Sequence, residues 1–127
     1  MGVTYDAGAL VAAERNDRRM WALHAGLLAE EVIPTVPAPV LAQAWNGGGP
    51  RQAGLARLLA MCSTEPLSEE QARRVGALAA RARHPDIVDA TVVEGAARRG
   101  DAVITSDRND LERIANAAGV SMLFEDI

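Results

Sequence analysis

At 127 residues, 49% of them hydrophobic and 24% charged, the chain can bury one ordinary core and is too short for two. Seventeen acids against 13 bases, every base an Arg, give a net charge of -4, which excludes a polybasic nucleic-acid or membrane binder, Walker-type phosphate binding and lysine Schiff-base chemistry. A lone Cys62 excludes a disulfide framework and a multi-cysteine metal cluster. Asp6 lies too near Met1 for a secretory leader, and charges and prolines break every apolar stretch short of a bilayer span, so a cytoplasmic protein with no membrane role is expected.

Val3 to Tyr5 is a short β-favouring run, and Asp6-Ala7-Gly8 turns it into a helix through about Glu14. Asp17 reads as the N-cap of a second helix, Arg18 to Glu31, with Trp21, Leu23, Leu27 and Leu28 inward. Val32 to Val36 is a second strand, after which the prolines at 37 and 39 start a helix over Val40 to Trp45. Gly47-Gly48-Gly49-Pro50 is a loop between helices rather than a domain boundary. Arg51 to Met61 is amphipathic, and Cys62 to Pro66 has room for a brief strand. Ser68-Glu69-Glu70-Gln71 is a capping box opening a helix to about Ala82. Pro85-Asp86 opens another, which runs to Arg99 and stops at Gly100. Ala102 to Thr105 is a strand, Asn109 to Ala118 a helix ended by Gly119, and Val120 to Phe124 a last strand. Alternating strands and helices predict one domain over residues 1–127, a three-layer α/β/α sandwich around a mainly parallel sheet; the strand order is not legible. With only Tyr5, Trp21, Trp45 and Phe124 as aromatics, the core falls to Ala, Val, Leu and Ile, and a base-stacking platform is not expected.

In an open parallel sheet, ligands bind beyond the carboxyl ends of the strands. Asp6 ends the first strand there and Asp107 ends a later one, while Asp89 lies in the first turn of the helix leading into that later strand. Three carboxylates on one rim repel each other unless they share a cation, and a hard divalent ion such as Mg2+ or Mn2+ takes such oxygen ligands. The simpler role for each is helix capping, and Asp86 with Asp89 has the spacing of a capping box.

The ordered set Tyr5-Asp6-Ala7-Gly8-Ala9-Leu10, Val36-Pro37-Ala38-Pro39-Val40-Leu41-Ala42-Gln43, Asp86-Ile87-Val88-Asp89-Ala90 and Thr105-Ser106-Asp107 resembles PIN-domain proteins, in particular the VapC-type ribonuclease toxins of prokaryotic toxin–antitoxin pairs. The resemblance covers nearly the whole chain. It implies an α/β/α fold, an endoribonuclease dependent on Mg2+ or Mn2+, an RNA substrate, frequent homodimers and inhibition by a cognate antitoxin. It matches Asp6 to the family's first aspartate, Asp89 to the acid opening the late helix and Asp107 to the acid of the strand-terminal Thr-x-Asp/Asn motif. One departure stands out: Gln43 occupies the place of a Glu, and an amide oxygen can ligate but brings no charge and cannot act as a base. Asp86, three residues before Asp89 and on the same helical face, is the nearest replacement.

Other candidates carry weaker expectations. Glu14, about two turns into its helix, is a second and more distant replacement for that Glu and reads more simply as a solvated or Arg-paired carboxylate; Asp110 reads as a first-turn acid favoured by the helix dipole, with support of the site as its other role. Thr105 and Ser106 offer hydroxyls to a water or phosphate, although Thr105 also suits a strand. His24 falls in an apolar helical pattern and His84 before a proline, with no Ser or Cys nucleophile at a recognisable spacing. Cys62 reads as a small buried hydrophobe. Phosphate contacts would fall to Arg15, Arg18 and Arg19, or to Arg51 and Arg57. The rival readings are a catalytically weak module that binds RNA or an antitoxin, which Gln43 favours, and a receiver-type phosphoacceptor, which the missing lysine disfavours.

Overall fold

The computed structural model describes residues 1–127. Five short strands form one all-parallel sheet: β1 (Val3–Tyr5), β2 (Thr35–Pro37), β3 (Ser63–Glu65), β4 (Ala102–Thr105) and β5 (Phe124–Asp126), in the order β3-β2-β1-β4-β5. The helices are α1 (Ala7–Glu14), α2 (Arg18–Ala29), α3 (Ala38–Ala44), α4 (Ala53–Leu59), α5 (Glu69–Ala82), α6 (Ile87–Arg99) and α7 (Arg108–Ala118), with a 3-10 turn at Pro50–Gln52.

From β1 the chain steps outward to β2 and β3, then returns across the sheet to β4 and β5. Because parallel crossovers are right-handed, the outward steps put α1–α4 on one face and the return steps put α5–α7 on the other. The packing agrees: α1 meets α2, α3 and α4, whereas α5, α6 and α7 pack on one another. The chain therefore reverses its direction of travel between β1 and β4, whose register pairs Val3 with Ala102 and Tyr5 with Ile104. Such a reversal parts the neighbouring loops and leaves a crevice at the carboxyl edge.

A core of 20 buried side chains, mostly Ala, Val and Leu, fills both sides of the sheet. Tyr5 is its largest polar-tipped member; its hydroxyl meets His24 Nδ1 at 2.8 Å, and burial lowers the His24 pKa, so this histidine belongs to the core. Cys62 is half-buried, its thiol pushed up to about 12 by burial and directed at the Leu58 carbonyl.

Several boundaries differ from the sequence reading. The second strand begins at Thr35 rather than Val32, because Glu31 takes a left-handed conformation (φ 61°) and the Val32 amide closes back on the Leu27 carbonyl. Met20 and His24, not Leu28, hold the buried positions of α2. α3 starts at Ala38, inside the proline pair, with Pro39 in its first turn. The last strand is β5 at 124–126 rather than 120–124: after Gly119 the Val120 amide closes on Ala115, and the chain first bonds to β4 where the Leu123 carbonyl accepts the Val103 amide.

Candidate active site

Asp6, Gln43, Asp86, Asp89 and Asp107 all line one cleft of about 450 Å³ at the carboxyl edge, together with Ala7, Gly8, Val11, Ala44, His84, Ser106 and Asp110. The cleft lies at the β1–β4 reversal, where the first turns of α1, α6 and α7 meet. Five carboxylates thus face the positive ends of three helices, which offset part of their charge.

Capping consumes these acids unequally. Asp6 extends β1 and caps α1: its Oδ1 accepts the Ala9 amide at 2.9 Å, and its Oδ2 accepts the Thr105 hydroxyl at 2.5 Å. Asp86 caps α6 through Oδ1, which accepts both the Val88 and Asp89 amides. Asp89, in the first turn of α6, makes no capping bond; its Oδ2 accepts from His84 Nε2 at 3.1 Å. Asp107 stands at the head of α7 and likewise caps nothing with its side chain. The capping alternative therefore accounts for Asp6 and Asp86, and leaves Asp89 and Asp107 to the cleft.

Thr105 is more than a strand former. Buried completely, it donates to Asp6 and accepts the Asp107 amide at 2.8 Å, so one hydroxyl ties together the acids at the ends of β1 and β4. Gly8 has an equally local cause: a Cβ there would collide with the Ser106 side chain, so the first turn of α1 approaches the β4–α7 loop as only glycine can.

Burial raises the Asp6 carboxyl above its ordinary value, and the Asp107 charge adds to this against the opposing hydrogen bonds from Thr105, Ala9 and Gly8. Asp89 is raised by burial and by the charges of Asp86 and Asp107, while His84 pulls it down. Asp107 is raised by lost solvent and by its hydrogen-bonded neighbour Asp110. Carboxyls that resist ionising beside one another form a site that a cation relieves.

The donor set fits such a cation. Ligand atoms of His84, Asp89 and Asp110 lie within 4.8 Å of one another, and the surrounding donors are oxygens of the kind Mg2+ and Mn2+ take. Two of those three residues had other expected roles. Asp110, expected to serve the helix dipole, lines the cleft three residues after Asp107, the same spacing that singled out Asp86 beside Asp89. His84, seen in sequence only as a residue before a proline, turns its ring back onto Asp89.

The remaining candidates lie elsewhere. Glu14 is half-buried and pairs with no Arg; its Oε1 accepts Gln52 Nε2 at 2.5 Å in a neighbouring polar pocket. Arg15 sits in that pocket with Arg51 rather than with Arg18 and Arg19. Arg19 approaches Glu125 at 3.9 Å, and Arg57 lies over the Trp21 ring.

No family model and no curated protein sequence matches the chain. Among solved structures, it matches a chain of the crystal structure of VapBC2 from Rickettsia felis bound to a DNA fragment from their promoter, with a TM-score of 0.77 over 100% of this chain and 99% of that one, at 16% identity. The fold is PIN-like. At that identity the likeness is one of architecture. The PIN-like sheet and its helices thus stand as expected, and the acidic cleft occupies the carboxyl edge at the sheet's point of reversal. No helix is long and apolar enough to cross a membrane.

Proposed function

We propose that the protein is a metal-dependent endoribonuclease and the toxin of a toxin–antitoxin pair. The observation that carries this reading is the convergence, in a PIN-like fold, of Asp6, Asp89 and Asp107 on one cleft where each carboxyl is raised by burial and by its neighbours' charge. Asp6, Asp89 and Asp107 would hold Mg2+ or Mn2+. Asp86 keeps an oxygen beyond the one spent on capping, and Gln43 offers an amide oxygen, so both complete the set; Asp110 joins them at Asp89.

A divalent cation bound there supplies Lewis acidity and makes water nucleophilic near neutral pH. The protein's own groups do the rest. The Thr105 hydroxyl fixes one Asp6 oxygen and the Asp107 backbone, so the two acids keep their separation as charge changes. His84 Nε2 holds the Asp89 carboxylate by its proton, and the three helix N-termini favour the anionic phosphodiester that the acids alone would repel.

Net charge is compatible with an RNA substrate. Five of the 17 acids line the cleft, so the rest of the chain carries 12 acids against 13 arginines. The VapBC2 likeness supports an antitoxin as the partner of this chain, and a homodimer is the expected assembly. Purified protein should cleave RNA with Mg2+ or Mn2+, and EDTA or Asp6→Asn should abolish cleavage. Equal cleavage by the Asn variant would trace the activity to a contaminant and remove the proposal.

A further inference from the structure

Beside the acidic cleft lies a second cavity of about 640 Å³ enclosed by Glu14, Arg15, Asn46, Gly48, Arg51 and Gln52, with no apolar side chain in its lining. It continues the cleft along α1 and the end of α3: Val11 and Ala44 line the cleft, whereas Glu14, Arg15 and Asn46, a few residues farther on, line the cavity. Arg15 follows Asp6 by nine residues, about 13 Å at the helical rise.

The cavity is built rather than incidental. Gln52 is only 3% exposed and uses both ends of its amide: Nε2 donates to Glu14 Oε1 and to the Ala44 carbonyl, and Oε1 accepts the Asn46 and Gly48 amides at 2.8 and 3.1 Å. Gly47, Gly48 and Gly49 all have φ between 81° and 88°, a run open only to glycine, so the loop holds one shape around that amide. Glu14 is engaged by Gln52, but Arg15 and Arg51 enter no ion pair. Two uncommitted guanidinium forks in a polar cavity of nucleotide size match a phosphodiester. The cleft's five carboxylates by themselves repel phosphates, so an RNA strand gains from cations just beyond them.

We propose that this cavity is a subsite in which Arg15 and Arg51 hold backbone phosphate of the RNA strand next to the point of cleavage. The subsite rests on the ribonuclease reading for its substrate, and its test is separable from that reading. Binding of a fluorescent single-stranded oligoribonucleotide to the full chain is followed by anisotropy in EDTA, where no cleavage occurs, across a range of salt. Arg15→Ala/Arg51→Ala should raise Kd about tenfold or more and flatten the log Kd against log salt slope by about 0.7 to 1.4, one or two phosphates' worth. Both side chains lie free of partners, so melting curves should match the wild type.

An unchanged Kd and slope in the double variant, or no RNA binding by the wild type, overturns the subsite. Unchanged RNA affinity with lost affinity for poly-glutamate overturns it too, and gives the cavity to an acidic peptide. Should the wild type fail to cleave with Mn2+ while the double variant still loses affinity and slope, the nuclease reading falls and the subsite stands.

Discussion

Asp6→Asn tests the electrostatics of the cleft without unfolding its scaffold. Asn caps a helix as well as Asp does, so the Ala9 amide keeps its acceptor while one of five carboxylates disappears. A carboxyl raised by folding retains its proton longer in the folded state. From 3.8 up to its raised value the folded protein therefore binds more protons, and stability falls as pH rises. Without metal, the wild type should accordingly be less stable at pH 7 than Asp6→Asn. Mn2+ at a hundredfold excess over its Kd should add about 2.7 kcal/mol to the wild type, about 10 °C in Tm for a domain of this length. If loss of the Asp6 ligand weakens binding about a hundredfold, the same Mn2+ gives the variant about 0.4 kcal/mol, or about 2 °C. Thermal unfolding by circular dichroism, with EDTA and with Mn2+, reads all four states. Equal Mn2+ shifts in both proteins, or none in the wild type, would refute the reasoning.

Gln43→Glu adds a sixth carboxylate to the cleft and should tighten Mn2+ binding by calorimetry while lowering Tm in EDTA; unchanged affinity would remove Gln43 from the site. Thr105→Val keeps the shape but leaves an Asp6 oxygen and the Asp107 amide without their partner, so urea unfolding should show a loss of about 1–3 kcal/mol, and RNA cleavage should fall with it. Gly8→Ala pushes a methyl into Ser106 and should cost about 1–3 kcal/mol, most of it recovered by adding Ser106→Gly. Failure of that second change to rescue Tm would place the strain elsewhere.

The layers, and the placing of Asp6, Asp89 and Asp107 at one rim of the sheet, were legible because each depends on local chemistry. Asp6, Asp89 and Asp107 follow strands or open helices, and the rim of a parallel sheet gathers such positions. What the sequence could not show was which acids capping consumes. The sequence already put Asp86 at the cap of α6 and Asp89 in its first turn; it did not show that Asp86 Oδ1 takes both amides while Asp89 turns to His84 instead of closing the capping box. Asp110 carried a usable signal, the same spacing from Asp107 that links Asp86 to Asp89. His84 and Gln52 carried none, since a ring turned back across Pro85 and an amide latched between α1 and a glycine loop are products of tertiary folding. The shifted β2 and β5 have a shared cause: backbone closures after α2 and α7 delayed each strand by three or four residues.

The Thr105–Asp6 bond spans 99 residues, and β1 lies at the centre of the sheet with β4 as one of its two flanks. During synthesis the first 37 residues can pair β1 with β2, yet one wall of the cleft waits until β4 and the head of α7 have left the ribosome. A nascent or prematurely terminated chain ending before residue 105 consequently lacks the Thr105 tie and the Asp107 and Asp110 carboxylates, and with them one side of the cleft.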